Sequence, residues 1–537
     1  MKTTKLIAAA LALVALVSFT APVPSYSAAK KTTAKKTTAK KTTAKKTTTA
    51  KKTTTAKKTT ATTAKKTTTA AKTTTTTAKT TTATAAKPAA LTGLTKTRYV
   101  KLSLEEPYTG KSIPNTTGKV SVKTCAGRIG VGAFGVTFGK DVPQAKVAID
   151  QDFSGSAGKI AASEFTVSLI DLNNFVRKTD EKGNKYTVAD IMASTQKFWL
   201  EANVSNKVKP GVYSGKISIY YNDAEWDMIP VELTVSKLAL VSSSKQCAIL
   251  TDIGLGDEDV TEADYGDFLS AVVESGFKVG TVGANEETAA AAFEEYGKKG
   301  LIGPAPVTVY AETLNVPDPE VFAAVEAVRK QTKVNNVLWF ANICPQGDAT
   351  VRAMGDQLAM MKSRRLRTAV MLDKDVDLEP VLPRIDDIIY SVDTDYAKKL
   401  MSGALKRSSS KWEWLWWDVS EDIAKNRIYA GIGLWKAGLD GCMPVLWGSA
   451  AKISARSVMT AAVREGVDDT RYLTMFMRYL REVKDLKRAK DADYLESCEA
   501  YVNNFLAKDV TAVTYDQLEA FRAKLESMTL DLMSRAK

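Results

Sequence analysis

Between residues 95 and 237 the apolar positions come in short runs that alternate with polar ones or are rich in β-branched residues. Eight such runs stand out, at 98–104, 118–125, 130–138, 145–150, 164–169, 197–204, 211–221 and 228–235, each bounded by Gly, Pro, Asn or Asp. Short strands at that spacing predict an all-β sandwich, placed at residues 95–240. Pro210-Gly211-Val212-Tyr213-Ser214-Gly215 reads as a turn feeding a strand: proline presets φ and the glycines permit sharp geometry.

After Lys245 the pattern changes to strands alternating with helices. Apolar strand candidates fall at 247–251, 278–282, 307–311, 336–341, 367–372, 387–392, 412–417 and 442–447, with helical spacing at 262–274, 287–298, 319–331, 349–362 and 421–436. Eight such repeats predict a (β/α)8, TIM-like barrel at residues 245–470. Only 378–384 is available as a helix after the fifth strand, so the barrel is expected to be distorted there. An open doubly wound sheet is the rival, but no Gly-rich phosphate loop follows the first strand. Residues 471–537 form a C-terminal helical extension, with Phe476, Tyr479, Leu480 and Val483, then Leu518, Phe521, Leu525, Met528 and Leu532, at helical spacing. These stripes are expected to cap the barrel.

The N-terminal pattern differs from both. Lys2 and Lys5 precede an uncharged apolar run at 6–19 and then small residues around Ser25, Ser27, Ala28 and Ala29. That predicts a secretory signal peptide at 1–28, with an uncleaved anchor as the alternative. No later stretch is apolar enough to span a bilayer. Residues 29–94 repeat KKTTA-like units; over 30–87 they contain no aromatic, no Leu, Ile or Val, and no acid. Such a low-complexity segment cannot bury enough apolar surface to offset its ordering entropy, and it is expected to be a disordered tether.

Charge changes meaning once the tether is set apart. The chain holds 75 basic and 60 acidic residues, a net charge of +15. The leader carries 2 lysines and the tether 17, without acids, so the remainder stands at −4. The basic balance therefore belongs to the tether and gives no reason to expect nucleic acid at the folded part. A cationic tether outside the cell would meet anionic envelope polymers; a solvated spacer is the plain alternative.

There is no histidine, which excludes Ser-His-Asp and Cys-His chemistry and His-ligated zinc. Cys125, Cys247, Cys344, Cys442 and Cys498 are scattered, with no CxxC, and read mostly as small buried hydrophobes, at least one left as a free thiol. No metal site or other cofactor is expected. Asp257-Glu258-Asp259 lacks a full calcium ligand set. Carboxylate-pair chemistry, as in glycoside hydrolysis, remains open.

Three stretches resemble one family. They are residues 198–235, ending Ile229-Pro230-Val231-Glu232-Leu233-Thr234-Val235; Arg427-Ile428-Tyr429 with Leu434-Trp435-Lys436-Ala437-Gly438-Leu439-Asp440-Gly441 and Trp447; and Val463-Arg464-Glu465-Gly466-Val467-Asp468-Asp469-Thr470-Arg471-Tyr472-Leu473. Together they resemble glycoside hydrolase family 123, over about residues 190–485. The resemblance implies a β-sandwich before a barrel, and a retaining N-acetylgalactosaminidase with an Asp-Glu pair before a proline after a middle strand, the substrate acetamido group acting as nucleophile. The matching place is Trp339-Phe340-Ala341-Asn342-Ile343-Cys344-Pro345, where Ile343 and Cys344 stand instead of the acids, and no Asp or Glu lies between Glu326 and Asp348.

Barrel function sits at the C-terminal ends of strands. Those ends offer Asp252, Glu286, Glu312, Asn342, Asp373, Asp375, Asp393, Asp395, Asp418 and Trp447. Glu312, Asp373 and Asp418 are the catalytic candidates, with Glu312 and Asp373 the expected acid and nucleophile pair; helix capping or a solvated loop is the plain alternative for all the acids. Strand parity puts Trp412, Trp414 and Trp416 on one face and Trp417 on the other. Trp339, Trp416 and Trp447 are the candidates for stacking on glycan, against simple core packing. Lys362, Arg364, Arg365 and Arg367 read as charges complementing a helix end.

Three readings follow: an exported envelope protein whose glycosidase-like barrel has lost catalysis and binds carbohydrate; an active N-acetylhexosaminidase-like enzyme using non-standard carboxylates; or a structural envelope protein held by its basic tail. A carboxylate pair in a cleft favours the second, a Trp-lined open mouth the first, and a plugged mouth the third.

Overall fold

The computed structural model describes residues 98–102 and 119–537, apart from 138–141, 172–173, 192–195, 252–261, 275–276, 278–280, 284–285, 300–306, 311–318, 334–335 and 447–455. The expected leader and tether, residues 1–94, lie outside these.

The all-β part forms one continuous 13-stranded sheet. Its main path runs Arg98–Leu102, Ile129–Thr137, Gln196–Asn203, Phe165–Asp171, Lys185–Ile191, Val142–Ala148, Gly211–Tyr221, Ala224–Ser236, Val120–Cys125. Neighbours on this path are antiparallel except at two places: Lys185–Ile191 runs parallel to Phe165–Asp171, and Ala224–Ser236 parallel to Val120–Cys125. Along Ala224–Ser236 the side chains of Ile229, Val231, Leu233 and Val235 point inward at every second position, the period of a half-buried strand. The sheet folds over a core in which Phe134 stacks on Phe198 and Phe153 on Phe165. Gly215, expected to serve a turn, has a packing reason instead: a Cβ there would lie 2.2 Å from the Phe153 ring.

The second part is a parallel sheet with strands in eight positions. The first, in two pieces (Gln246–Cys247 and Leu250–Thr251), pairs with the last, Gly441–Leu446. From there the order runs back through Trp412–Asp418, Asp387–Ser391, Arg367–Leu372, Val337–Ile343, Val307–Tyr310 and Thr281–Gly283. First-to-last pairing curls the sheet in the manner of a barrel; among the described residues no pairing joins the first position to Thr281–Gly283. Helices Glu262–Glu274, Glu286–Lys298, Pro319–Thr332, Asp348–Ser363 and Asp395–Ser402 connect the strands, and the thin fifth connection is a single 3-10 turn, Leu382–Arg384. The helix expected at 421–436 is broken at Gly431 into Ile423–Ala430 and Ile432–Ala437.

Strand parity sorts the side chains into two cores. Leu338, Phe340, Ala369, Met371, Ile389, Trp414, Trp416, Met443 and Val445 fill the interior of the curled sheet. Trp339, Val370, Leu372, Ile388, Leu415 and Trp417 face the helices. At the N-terminal ends of the strands, buried Asp387 accepts two hydrogen bonds from Arg367, both 2.7 Å, and one from Trp414 Nε1 at 2.8 Å. Lys362 is paired with Asp386. Lys362 and Arg367 thus make ion pairs between elements, which the helix-end reading did not anticipate.

The C-terminal helices are Val458–Asp485, Ala492–Leu506 and Tyr515–Arg535. The first begins thirteen residues before the helical extension expected at 471–537, at a capping box in which Ser457 and Thr460 satisfy each other's backbone N–H groups. The expected stripes at Leu518, Phe521, Leu525, Met528 and Leu532 are buried. Among the described residues no helix is long and apolar enough to cross a membrane.

Candidate functional site

Two places collect the residues that sequence reasoning singled out. The first is at the C-terminal ends of the parallel strands. Strand Val337–Ile343 carries an irregularity in its pairing between Phe340 and Asn342, a device that re-aims a strand end. The chain then turns at Cys344, whose φ of 55° lies in the left-handed region that non-glycine residues seldom occupy. Bonds from its neighbours hold it there: Cys344 N–H donates to Met371 O at 2.8 Å, the Gln346 amide donates to Cys344 O at 2.8 Å, and Lys374 donates to Gln346 Oε1 at 2.8 Å. The thiol, 6% exposed, tops the interior core.

Asp373 follows strand Arg367–Leu372 and Asp418 ends strand Trp412–Asp418, and both bear on this thiol. Burial first, then the charge of Asp373 and that of Asp418, push the Cys344 thiol far above its ordinary value. The Asp373 backbone N–H opposes this rise in part. Cys344 is therefore a neutral thiol near pH 7 and a poor nucleophile. Asp373 Oδ1 is buried and has no hydrogen-bond partner among the described residues. An unmet carboxylate oxygen at a strand end is an acceptor for a ligand hydroxyl or amide.

The other candidates separate. Trp416, 7% exposed, lies in the interior core, and its Nε1 donates to Leu372 O at 2.7 Å. Trp339, 2% exposed, faces the helices on the opposite side of its strand. Glu312, Trp447 and Asp252 lie outside the described residues, and so do the side chains of Glu286 and Asn342. Asp375 caps a helix, accepting from the N–H groups of Asp395 and Tyr396 at 2.7 and 3.2 Å. Cys344 enters the site as the thiol whose ionisation the charges of Asp373 and Asp418 both oppose. Its signal in the sequence was its place before Pro345.

The second place is built by the Arg-Glu-Gly and Asp-Asp signature on helix Val458–Asp485. Arg464 donates to Glu201 of the all-β part at 2.9 Å, and Asp468 accepts from Arg128 of the same part. Asp469 accepts two bonds from the wholly buried Arg427, at 2.8 and 3.1 Å, and one from Arg522 of the last helix at 2.6 Å. Glu465 pairs with Arg522, and the Tyr472 hydroxyl lies 3.2 Å from Cys125 Sγ. A Cβ on Gly466 would lie 2.3 Å from Arg427 O, so the glycine lets two helices meet. These residues are paired with one another and join three parts of the fold. Among the described residues no cluster of three or more Cys, Asp or Glu is placed to hold a metal ion.

No family model and no curated protein matches the sequence. Among solved structures the chain is similar to a family 123 glycoside hydrolase from Clostridium perfringens, with a TM-score of 0.53 and 11% identity, covering 82% of this chain and 98% of that one. The likeness is one of fold. A GH5 xyloglucanase from Bacteroides ovatus also aligns, over 65% of this chain and 98% of its own, with 10% identity, but its TM-score of 0.27 is too low to argue from.

Proposed function

We propose that this is an exported cell-envelope protein, tethered by its basic N-terminal segment, whose β-sandwich precedes a (β/α)8 barrel that binds glycan without hydrolysing it. The observation that carries the reading is Cys344. In a fold similar to a glycoside hydrolase, it stands at the end of the fourth strand as a buried neutral thiol, at the place where the sequence resemblance implies a carboxylic acid to protonate the leaving oxygen. Asp373, with its unmet buried oxygen, is the polar anchor for sugar hydroxyls; Trp447, outside the described residues, is the aromatic surface we assign to the glycan, since Trp416 is packed in the interior core with its N–H on Leu372. Trp339 drops out of the proposed site because it faces the helices. The test is a glycan array probed with wild type and Asp373→Asn: retention of a defined glycan by wild type only supports the reading, and no retention leaves the structural role.

A second reading has an observation of its own. The charges of Asp373 and Asp418 both act on the Cys344 thiol, and a pair of carboxylates is the minimum for glycoside hydrolysis. On that reading the acids have moved from the fourth strand to the fifth and seventh.

A further inference from the structure

A cleft of about 270 Å³ opens where strands Val120–Cys125 and Ile129–Thr137 meet helices Val458–Asp485 and Tyr515–Arg535, and none of its lining residues belongs to the parallel strands. Five acids and three bases line it, and two arginines outside the lining, Arg427 and Arg471, pair with Glu519 and Asp468. Two of the bases are committed: Arg128 to Asp468, and Arg522 to Glu465 and Asp469. Glu526 is different. Its carboxylate is buried, yet the one ion pair it makes among the described residues is with the Lys123 ammonium at 3.1 Å, on a side chain 55% exposed. A buried carboxylate needs a cation, whereas an ion pair with a half-exposed lysine is weak and easily exchanged.

We propose that this cleft binds a compact ligand carrying a protonated primary amine, with Glu526 as the anchoring carboxylate and Lys123 as the group the ligand amine replaces. The space is of monosaccharide or amino-acid size, and Ser121 and Thr124 are among its lining residues. Exposed Asp516, also in the lining, adds a negative charge that attracts cations, whereas Glu519 is paired with Arg427. The site is independent of the strand-end site above.

Calorimetric titration of the full chain tests this with D-glucosamine, N-acetyl-D-glucosamine and Nα-acetyl-L-lysine amide. We expect the free amines to bind and the acetylated sugar not to. Lys123→Met should tighten amine binding roughly tenfold by removing the competitor, and Glu526→Gln should weaken it at least about tenfold. Preference for glucosamine assigns the amine to a sugar, and preference for the lysine amide to a peptide side chain; both support the site. No binding of either amine to Lys123→Met, or equal binding of the acetylated sugar, overturns the proposal, as does unchanged binding by a folded Glu526→Gln protein.

Discussion

Loss of Arg427 strands a buried carboxylate at the joint between the barrel and its C-terminal helices. The Arg427 guanidinium is wholly buried, donates twice to Asp469 and once to Glu519, and lies 4.6 Å from the centre of the Tyr515 ring. Arg427→Ala leaves the Asp469 carboxylate buried with Arg522 as its remaining partner. Stranding one member of a buried ion pair costs about 3–5 kcal/mol; Arg522 moves the value toward the lower bound, and the emptied stem adds a cavity cost, for about 4 kcal/mol in all. In a folded unit larger than 200 residues that lowers Tm by about 5–10 °C, read by tryptophan fluorescence. A double-mutant cycle isolates the pair: Asp469→Asn should cost about 1–3 kcal/mol less in an Arg427→Met background than in wild type. A Tm shift under about 2 °C for Arg427→Ala, with no coupling to Asp469, would refute the view that this signature is a structural joint.

Three further outcomes follow from the same geometry. Gly466→Ala pushes a methyl into the Arg427 carbonyl and the Ala430 side chain, and should destabilise by about 1–3 kcal/mol in urea titrations; a neutral result contradicts the close helix approach. Asp418→Asn removes one of the charges that raise the Cys344 thiol, so native-state alkylation of Cys344, followed by peptide mass spectrometry, should speed up roughly threefold to tenfold, and an unchanged rate contradicts their proximity. Burial pushes the Asp386 carboxyl up, but hydrogen bonds from Lys362 and Thr368 outweigh it and hold the group below its ordinary value. A folded value below the unfolded one contributes stability above the ordinary carboxylate range that is lost as pH falls through the folded value. The stability gap between wild type and Asp386→Asn should therefore be full at neutral pH and close in acid; a gap that persists to about pH 2 contradicts the pairing.

Local periodicity made much of the fold legible. The eight strand positions, the thin fifth connection and the split of Trp414 and Trp416 from Trp417 all follow from patterns a few residues long. What stayed hidden depends on partners distant in sequence. The helix read through 421–436 breaks at Gly431 because the backbone of Gly466 passes there, 2.9 Å from where a Cβ would stand. The Arg-Glu-Gly and Asp-Asp signature was legible as a resemblance, but its work as a joint depends on Arg128, Glu201, Arg427 and Arg522, spread over almost 400 positions. The action of Asp373 and Asp418 on Cys344 depends on the strand order, which sets the strands of Cys344 and Asp373 side by side and that of Asp418 two places further on. Asp373 and Asp375 look alike in sequence, yet one has a buried unmet oxygen and the other caps a helix.

The most direct test of the central claim is hydrolysis of aryl N-acetylhexosaminides and of a glycan panel by wild type, Asp373→Asn and Asp418→Asn. A barrel that binds without catalysing predicts no turnover by any of the three. Turnover by wild type that disappears in either variant would contradict it, and would make the protein an enzyme whose carboxylates stand on the fifth and seventh strands.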